Sequence, residues 1–119
     1  MAIALLLLAA CGSNDNGTKD GYSIEMANGE TIDNITIDIL AKSFSSIDED
    51  NNYIIVDHGD NFLQAAYSDG KYDVEYKVNN MQYEAKKLLS KDSTLTLFTK
   101  YLNEDEDWNK AVVWELQDN

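Results

Sequence analysis

Three kinds of side chain in this sequence have chemistry to offer: a cysteine, a histidine and a large excess of carboxylates. Cys11 and His58 are each the single residue of their type. A disulfide within the chain is therefore excluded, and neither a zinc centre nor a Cys/His nucleophilic pair can be assembled downstream of Cys11. His58 falls in Asp57-His58-Gly59-Asp60, where a lone turn histidine is expected to be solvated. The acidic residues number 22 against nine lysines, with no arginine, for a net charge of −13 over 119 residues. Nucleic acid is a poor partner for such a chain and a basic protein a better one, although acidity also serves solubility alone. The runs Asp48–Asp50 and Glu104–Asp107 lack the alternating ligands and turn glycine of a calcium loop, so no metal and no cofactor is expected.

Which carboxylates meet depends on the elements that carry them. Tyr72, Val74, Tyr76 and Val78 alternate with Asp73, Glu75 and Lys77, the period of a strand with one dry and one wet face. Asn79-Asn80 follows as a two-residue turn, because Asn tolerates the positive φ that a type I′ hairpin requires. That turn places Val78 opposite Met81, Tyr76 opposite Tyr83 and Val74 opposite Ala85. Asp69-Gly70 is a second signal of the same kind, setting Tyr67 against Tyr72, Ala65 against Val74 and Leu63 against Tyr76. A longer connection over Asp57–Asp60 brings Val56 opposite Asn61 and Ile54 opposite Leu63. The outcome is a four-stranded antiparallel meander whose wet side carries the chemistry.

Flanking segments complete the domain. Tyr22–Met26 alternates as a strand, and apolar positions from Ile32 to Ile47 recur at helical spacing, predicting an amphipathic helix over Thr31–Ser46 capped by Asn28, Thr31 or Asp33. Ser90 caps a second helix with Leu95, Phe98, Tyr101 and Leu102 buried, ending near Asn103. A last strand follows Trp108, with Val112, Trp114 and Leu116 on one face. The fold class is thus α+β: an antiparallel sheet of four to six strands in the order β-α-β-β-β-β-α-β, with both helices packed on one face. At this length a single domain, placed at residues 21–119, buries roughly 65% of its unfolded surface without metal or disulfide support.

Residues Ile3–Ala10 are wholly apolar, about half the length of a membrane-spanning helix. They end in Leu8-Ala9-Ala10-Cys11, which resembles the lipobox of bacterial lipoproteins, although Met1-Ala2-Ile3 lacks the basic residue such signals carry. The resemblance implies a signal peptide over residues 1–10, cleavage before Cys11 and lipidation of that cysteine. Residues 11–20 would then be the lipidated cysteine and a polar tether, anchoring the domain to a membrane of the bacterial cell envelope. The alternative is that the apolar stretch is an element of the fold.

The body of the chain carries a second resemblance. An amphipathic helix, Leu63-Gln64-Ala65-Ala66, Gly70-x-Tyr72-x-Val74-Glu75-Tyr76, Tyr83-x-Ala85-Lys86, then Phe98, Tyr101-Leu102, Trp108 and Trp114-Glu115 are similar to bacterial immunity proteins of the Imm-one type. The similarity covers roughly Ser23 to Leu116. It implies an antidote that binds a secreted toxin and performs no catalysis of its own.

The register singles out candidate residues. Glu75 faces Glu84 with Gln64 on its other side, and like charges across strands are destabilising unless Lys77 and Lys86 on the diagonals neutralise them. If they do not, the pair is a spot for a partner or a cation. Ile55 beside Phe62 on the same wet face, with Tyr53 and Ala66 near, forms an apolar patch rimmed by acids, unless the tether or a helix covers it. Trp108, following an acidic loop, is divided between packing and partner binding. Partner-binding candidates are therefore Glu75, Glu84, Gln64, Phe62, Ile55 and Trp108, with Cys11 for lipidation. An enzyme built on Glu75 and Glu84 would need a pocket and a raised pKa, and no catalytic signature accompanies them. An envelope adaptor without a toxin partner is the competing reading.

Overall fold

The computed structural model describes residues 19–117, so the apolar stretch 3–10, Cys11 and the tether up to residue 18 lie outside the described residues. Seven strands form one antiparallel sheet: β1 (Tyr22–Met26), β2 (Thr31–Asp33), β3 (Tyr53–His58), β4 (Asn61–Ser68), β5 (Lys71–Val78), β6 (Met81–Ala85) and β7 (Trp114–Leu116). Their spatial order is β2-β1-β3-β4-β5-β6-β7. Helices α1 (Ile37–Ser45) and α2 (Lys91–Leu102) complete the fold. It is α+β, as the patterning predicts.

Two of the hairpins close through left-handed pairs. Asp69 and Gly70 have φ of 54° and 81°, Asn79 and Asn80 of 52° and 69°, the type I′ geometry that matches strand twist. The expected partners Tyr67–Tyr72, Ala65–Val74, Leu63–Tyr76, Tyr76–Tyr83 and Val78–Met81 are observed. Val74 and Ala85, next in line, are both buried.

The hairpin before them differs from expectation. Val56 pairs with Leu63 and Ile54 with Ala65, rather than with Asn61 and Leu63, because His58 still pairs with Asn61 and only Gly59-Asp60 turns. Gly59 at φ 64° opens a two-residue turn, and the strands are consequently longer at this end. The shift is two residues, so every side chain keeps its face.

The first helix is also shorter than its periodicity suggests. Thr31–Asp33 forms edge strand β2 against Glu25–Ser23, and the helix starts only after Thr36, whose hydroxyl accepts from the Ile39 amide at 3.1 Å. Ile32 and Ile35 fit a helical period by coincidence: one lies on a strand and the other is a buried connector. The second helix matches its signals, with Ser90 accepting from the Ser93 amide and Asn103 at the far end. Its fully buried residues are Thr94, Leu97, Phe98 and Leu102, while Leu95 and Tyr101 are half-buried.

Both helices pack on the same face of the sheet. Tyr22, Ile24, Met26, Ile54, Val56, Leu63, Tyr72, Val74 and Tyr76 supply the sheet side of the core, and Leu40, Phe44, Leu97, Phe98 and Leu102 supply the helical side. Phe44 meets Tyr72 at 5.9 Å and Phe98 at 5.0 Å between ring centroids, joining both helices to the sheet at one point. The chain enters β3 through a polar lock: buried Asn51 accepts from the Asn28 amide at 3.0 Å and donates to the Ser46 carbonyl at 3.2 Å.

Candidate functional site

Alternation along each strand sends the remaining side chains to the opposite face, which no described helix covers. Register aligns them into rows. One row runs Thr31, Glu25, Ile55, Gln64, Glu75, Glu84, Glu115 across all seven strands. The row beside it runs Asp33, Ser23, Asp57, Phe62, Lys77, Gln82. On the other side stand Tyr53, Ala66 and Asp73. The face is therefore apolar over β3 and β4 and acidic to either side.

At the β5–β7 end, Glu75 is directly opposite Glu84, and Glu84 directly opposite Glu115. Carboxylate oxygens of Asp73, Glu75 and Glu84 lie within 4.8 Å of one another. The expected neutralising lysines do not quench them. Glu75 accepts instead from the Gln82 amide at 2.7 Å, and the groups that act on Glu84 are all acidic. A hydrogen bond shared with Asp73, partial burial and the charges of Asp73, Glu75 and Glu115 hold its carboxyl above the usual range. Three carboxylates so arranged can share a proton, accept a basic side chain or touch a divalent cation from one side.

At the β1–β3 end, the tighter hairpin moves Asp57 out of the expected turn and into the sheet beside Glu25. Burial, a hydrogen bond with Glu25 and that residue's charge push the Asp57 carboxyl up to about 7. Neighbouring His58 points to the helical side, where its ring stacks on Tyr22 at 3.9 Å and an interplanar angle of 7°. It is a packing residue there, half-buried and not freely solvated as its turn context suggested.

Between the two acidic ends lies the apolar ground. Tyr53, Ile55, Gln64, Ala65 and Ala66 line a shallow hollow of about 260 Å³. Tyr53 is 40% exposed, a large apolar surface left without cover among the described residues. Phe62 is half-buried but lies in the neighbouring row: the tighter hairpin sets Gln64 and not Phe62 opposite Ile55, and Phe62 faces Asp57 on one side and Lys77 on the other.

Five of the six partner-binding candidates thus share one surface: Ile55, Phe62, Gln64, Glu75 and Glu84. Trp108 does not join them. It packs on the helical side, edge-on to Tyr76 at 4.9 Å and Tyr101 at 4.8 Å, within an aromatic group that also holds Trp114, 4.7 Å from Tyr76. Asn109 ties this group together by donating to the Tyr76 hydroxyl at 3.2 Å and accepting the Trp114 indole N–H at 2.9 Å. Sequence patterning missed Asp73, Glu115, Glu25 and Asp57 as members of the surface. Asp73 was within reach, two residues from Glu75 on the same side. Asp57 was lost to the hairpin register, and Glu115 to a β6–β7 pairing that bridges 28 intervening residues.

No protein-family model, curated protein or solved structure matches the chain. Among the described residues, no helix is long and apolar enough to cross a membrane.

Proposed function

We propose that this protein is a binding protein of the immunity type, held at the bacterial envelope by lipid on Cys11, which neutralises a basic toxin by docking it on the bare sheet face. The observation that carries this reading is the sheet face that no described helix covers, with Tyr53, Ile55, Ala66 and Phe62 on it and carboxylates at both ends. An exposed apolar patch rimmed by like charge suits an interface in which the charge steers the partner and the patch supplies affinity. The resemblance to Imm-one immunity proteins and the lipobox supply the toxin and the membrane.

The test is to co-purify the protein with the product of its neighbouring gene across a salt series. The proposal predicts a complex that weakens with ionic strength and is lost in Ile55→Ser or Glu84→Gln with folding intact. A neighbouring product that forms no complex, or a complex indifferent to both substitutions, contradicts it. Labelling cells with a palmitate analogue, with and without Cys11→Ala, tests the anchor separately.

A further inference from the structure

At the β7 edge of the molecule, two hollows adjoin beside α2 and the turns that lead into β7. The first, of about 270 Å³, is walled by Leu97 of α2 and by Trp108, with exposed Asp92 and Lys100 also lining it. The second, of about 290 Å³, is walled by Val113, with exposed Lys86 and Lys87. Leu89, Ala111 and Val112 line both, so the two form one trough. Joined, they reach the size of a small-ligand pocket, roughly 300–1,000 Å³. The trough shares no lining residue with the hollow at Tyr53 and Ala66.

Its walls are held in place before anything binds. Leu89 exchanges backbone hydrogen bonds with Tyr72 at 2.8 and 2.9 Å, the Lys86 N–H donates to the Val113 carbonyl at 2.9 Å, and Trp108 stands edge-on to Tyr76 and Tyr101. Those bonds also decide what can lie there. Beyond its first turn α2 spends its backbone groups within the helix, and Leu89 spends its own on Tyr72, so an extended polypeptide laid in the trough would bury N–H and C=O groups without partners. A partner helix, about 10–12 Å across with its side chains, is too thick to enter hollows of this volume. A hydrocarbon chain meets neither obstacle.

Charge sets the direction. The chain carries 22 acids against nine lysines, yet three lysines and one acid line the trough. Asp92 offsets Lys100 in the first hollow, whereas no acid accompanies Lys86 and Lys87 among the described residues lining the second. From this we infer that the trough binds a free long-chain fatty acid, its carboxylate at Lys86 and Lys87 and its methyl end against Leu97 and Trp108. The tail is held by apolar contact and the head by ion pairing, with no covalent change.

Trp108 supplies the reporter. Palmitic acid brominated near its methyl end is titrated into the full chain at neutral pH, below the concentration at which the acid aggregates, and tryptophan emission is read. The expected result is saturable quenching, stronger than with bromine placed next to the carboxylate. Lys86→Gln combined with Lys87→Gln should weaken the affinity roughly tenfold, the joint worth of two exposed ion pairs. Ala111→Phe fills an exposed position common to both hollows and should abolish saturation with the circular dichroism unchanged. Should that variant disturb the fold, the lysine pair and the bromine position still decide. Lysophosphatidylcholine of the same chain length, whose head has no net charge, should displace the brominated acid about tenfold more weakly than palmitate does. Quenching that never saturates, that persists in a folded Ala111→Phe protein or that is stronger from the carboxylate end would overturn the inference, as would affinity indifferent to the lysines or to the head charge.

Discussion

Glu75 and Glu84 face each other directly across β5 and β6, their oxygens within 4.8 Å of each other and of Asp73, and the hydrogen bond that Glu75 accepts comes from Gln82 and not from a lysine. On the proposed reading, this repulsion is relieved when a basic side chain of the partner docks beside it.

Relieving the repulsion should therefore stabilise the fold while harming recognition. Glu84→Gln is expected to raise unfolding free energy by about 0.5 kcal/mol at pH 8, the scale of a like-charge cross-strand pair. Urea denaturation measures it. The same variant loses affinity for the basic partner, and the opposite signs of the two effects separate a binding residue from a structural one.

Stability should also fall with rising pH over a defined window. The Asp57 carboxyl ionises near 3.8 when unfolded and near 7 when folded, so between these values the native state holds the extra proton. The contribution is fully present below the unfolded value and is lost as pH rises through the folded one. Asp57→Asn should flatten this slope between pH 4 and pH 7. Thermal unfolding of both proteins across that range checks it, and parallel curves would show that Asp57 is not the group responsible.

The apolar centre should be dispensable for folding. Ile55→Ser and Phe62→Ser remove half-buried side chains from a face that no described helix covers, so each should cost well under the 2–5 kcal/mol typical of truncating a core aliphatic such as Leu63. Chemical denaturation of Ile55→Ser beside Leu63→Ala makes the comparison internal. Comparable losses would mean that the face is packed in the native protein.

A structural prediction concerns the entry to β3. Removing the Asn51 amide by substitution to Ala leaves the Asn28 N–H and the Ser46 carbonyl without their buried partner, and should cost about 1–3 kcal/mol. Denaturation of the Asn51→Ala protein measures it.

How far the sequence discloses this molecule depends on how local each determinant is. Asp69-Gly70 and Asn79-Asn80 specify their own turns through backbone preference, so the pairing of Tyr67 with Tyr72 and of Tyr76 with Tyr83 can be read from adjacent residues. Gly59-Asp60 is as short a turn, but Asp57 and His58 beside it have the composition of a loop, and their place in the strand is fixed by neighbours far along the chain: Glu25 and Ser23 on β1 and the stacked ring of Tyr22. The same holds for β2, where Ile32 and Ile35 share a helical period with α1 although Thr31–Asp33 is held by pairing with β1. The wet-face acids of β5 and β6 were thus visible as a pair. Their extension to Glu115, and the second acidic end at Asp57, arise only when distant strands assemble.

Methyl NMR of the complex with the proposed basic partner shows which face of the sheet docks. The methyl resonances of Ile55 and Ala66 are expected to shift or broaden on binding, while those of Leu97 and Val112 on the helical side hold their positions. Perturbation confined to Leu97, Val112 and their surroundings, with Ile55 and Ala66 unmoved, would contradict it.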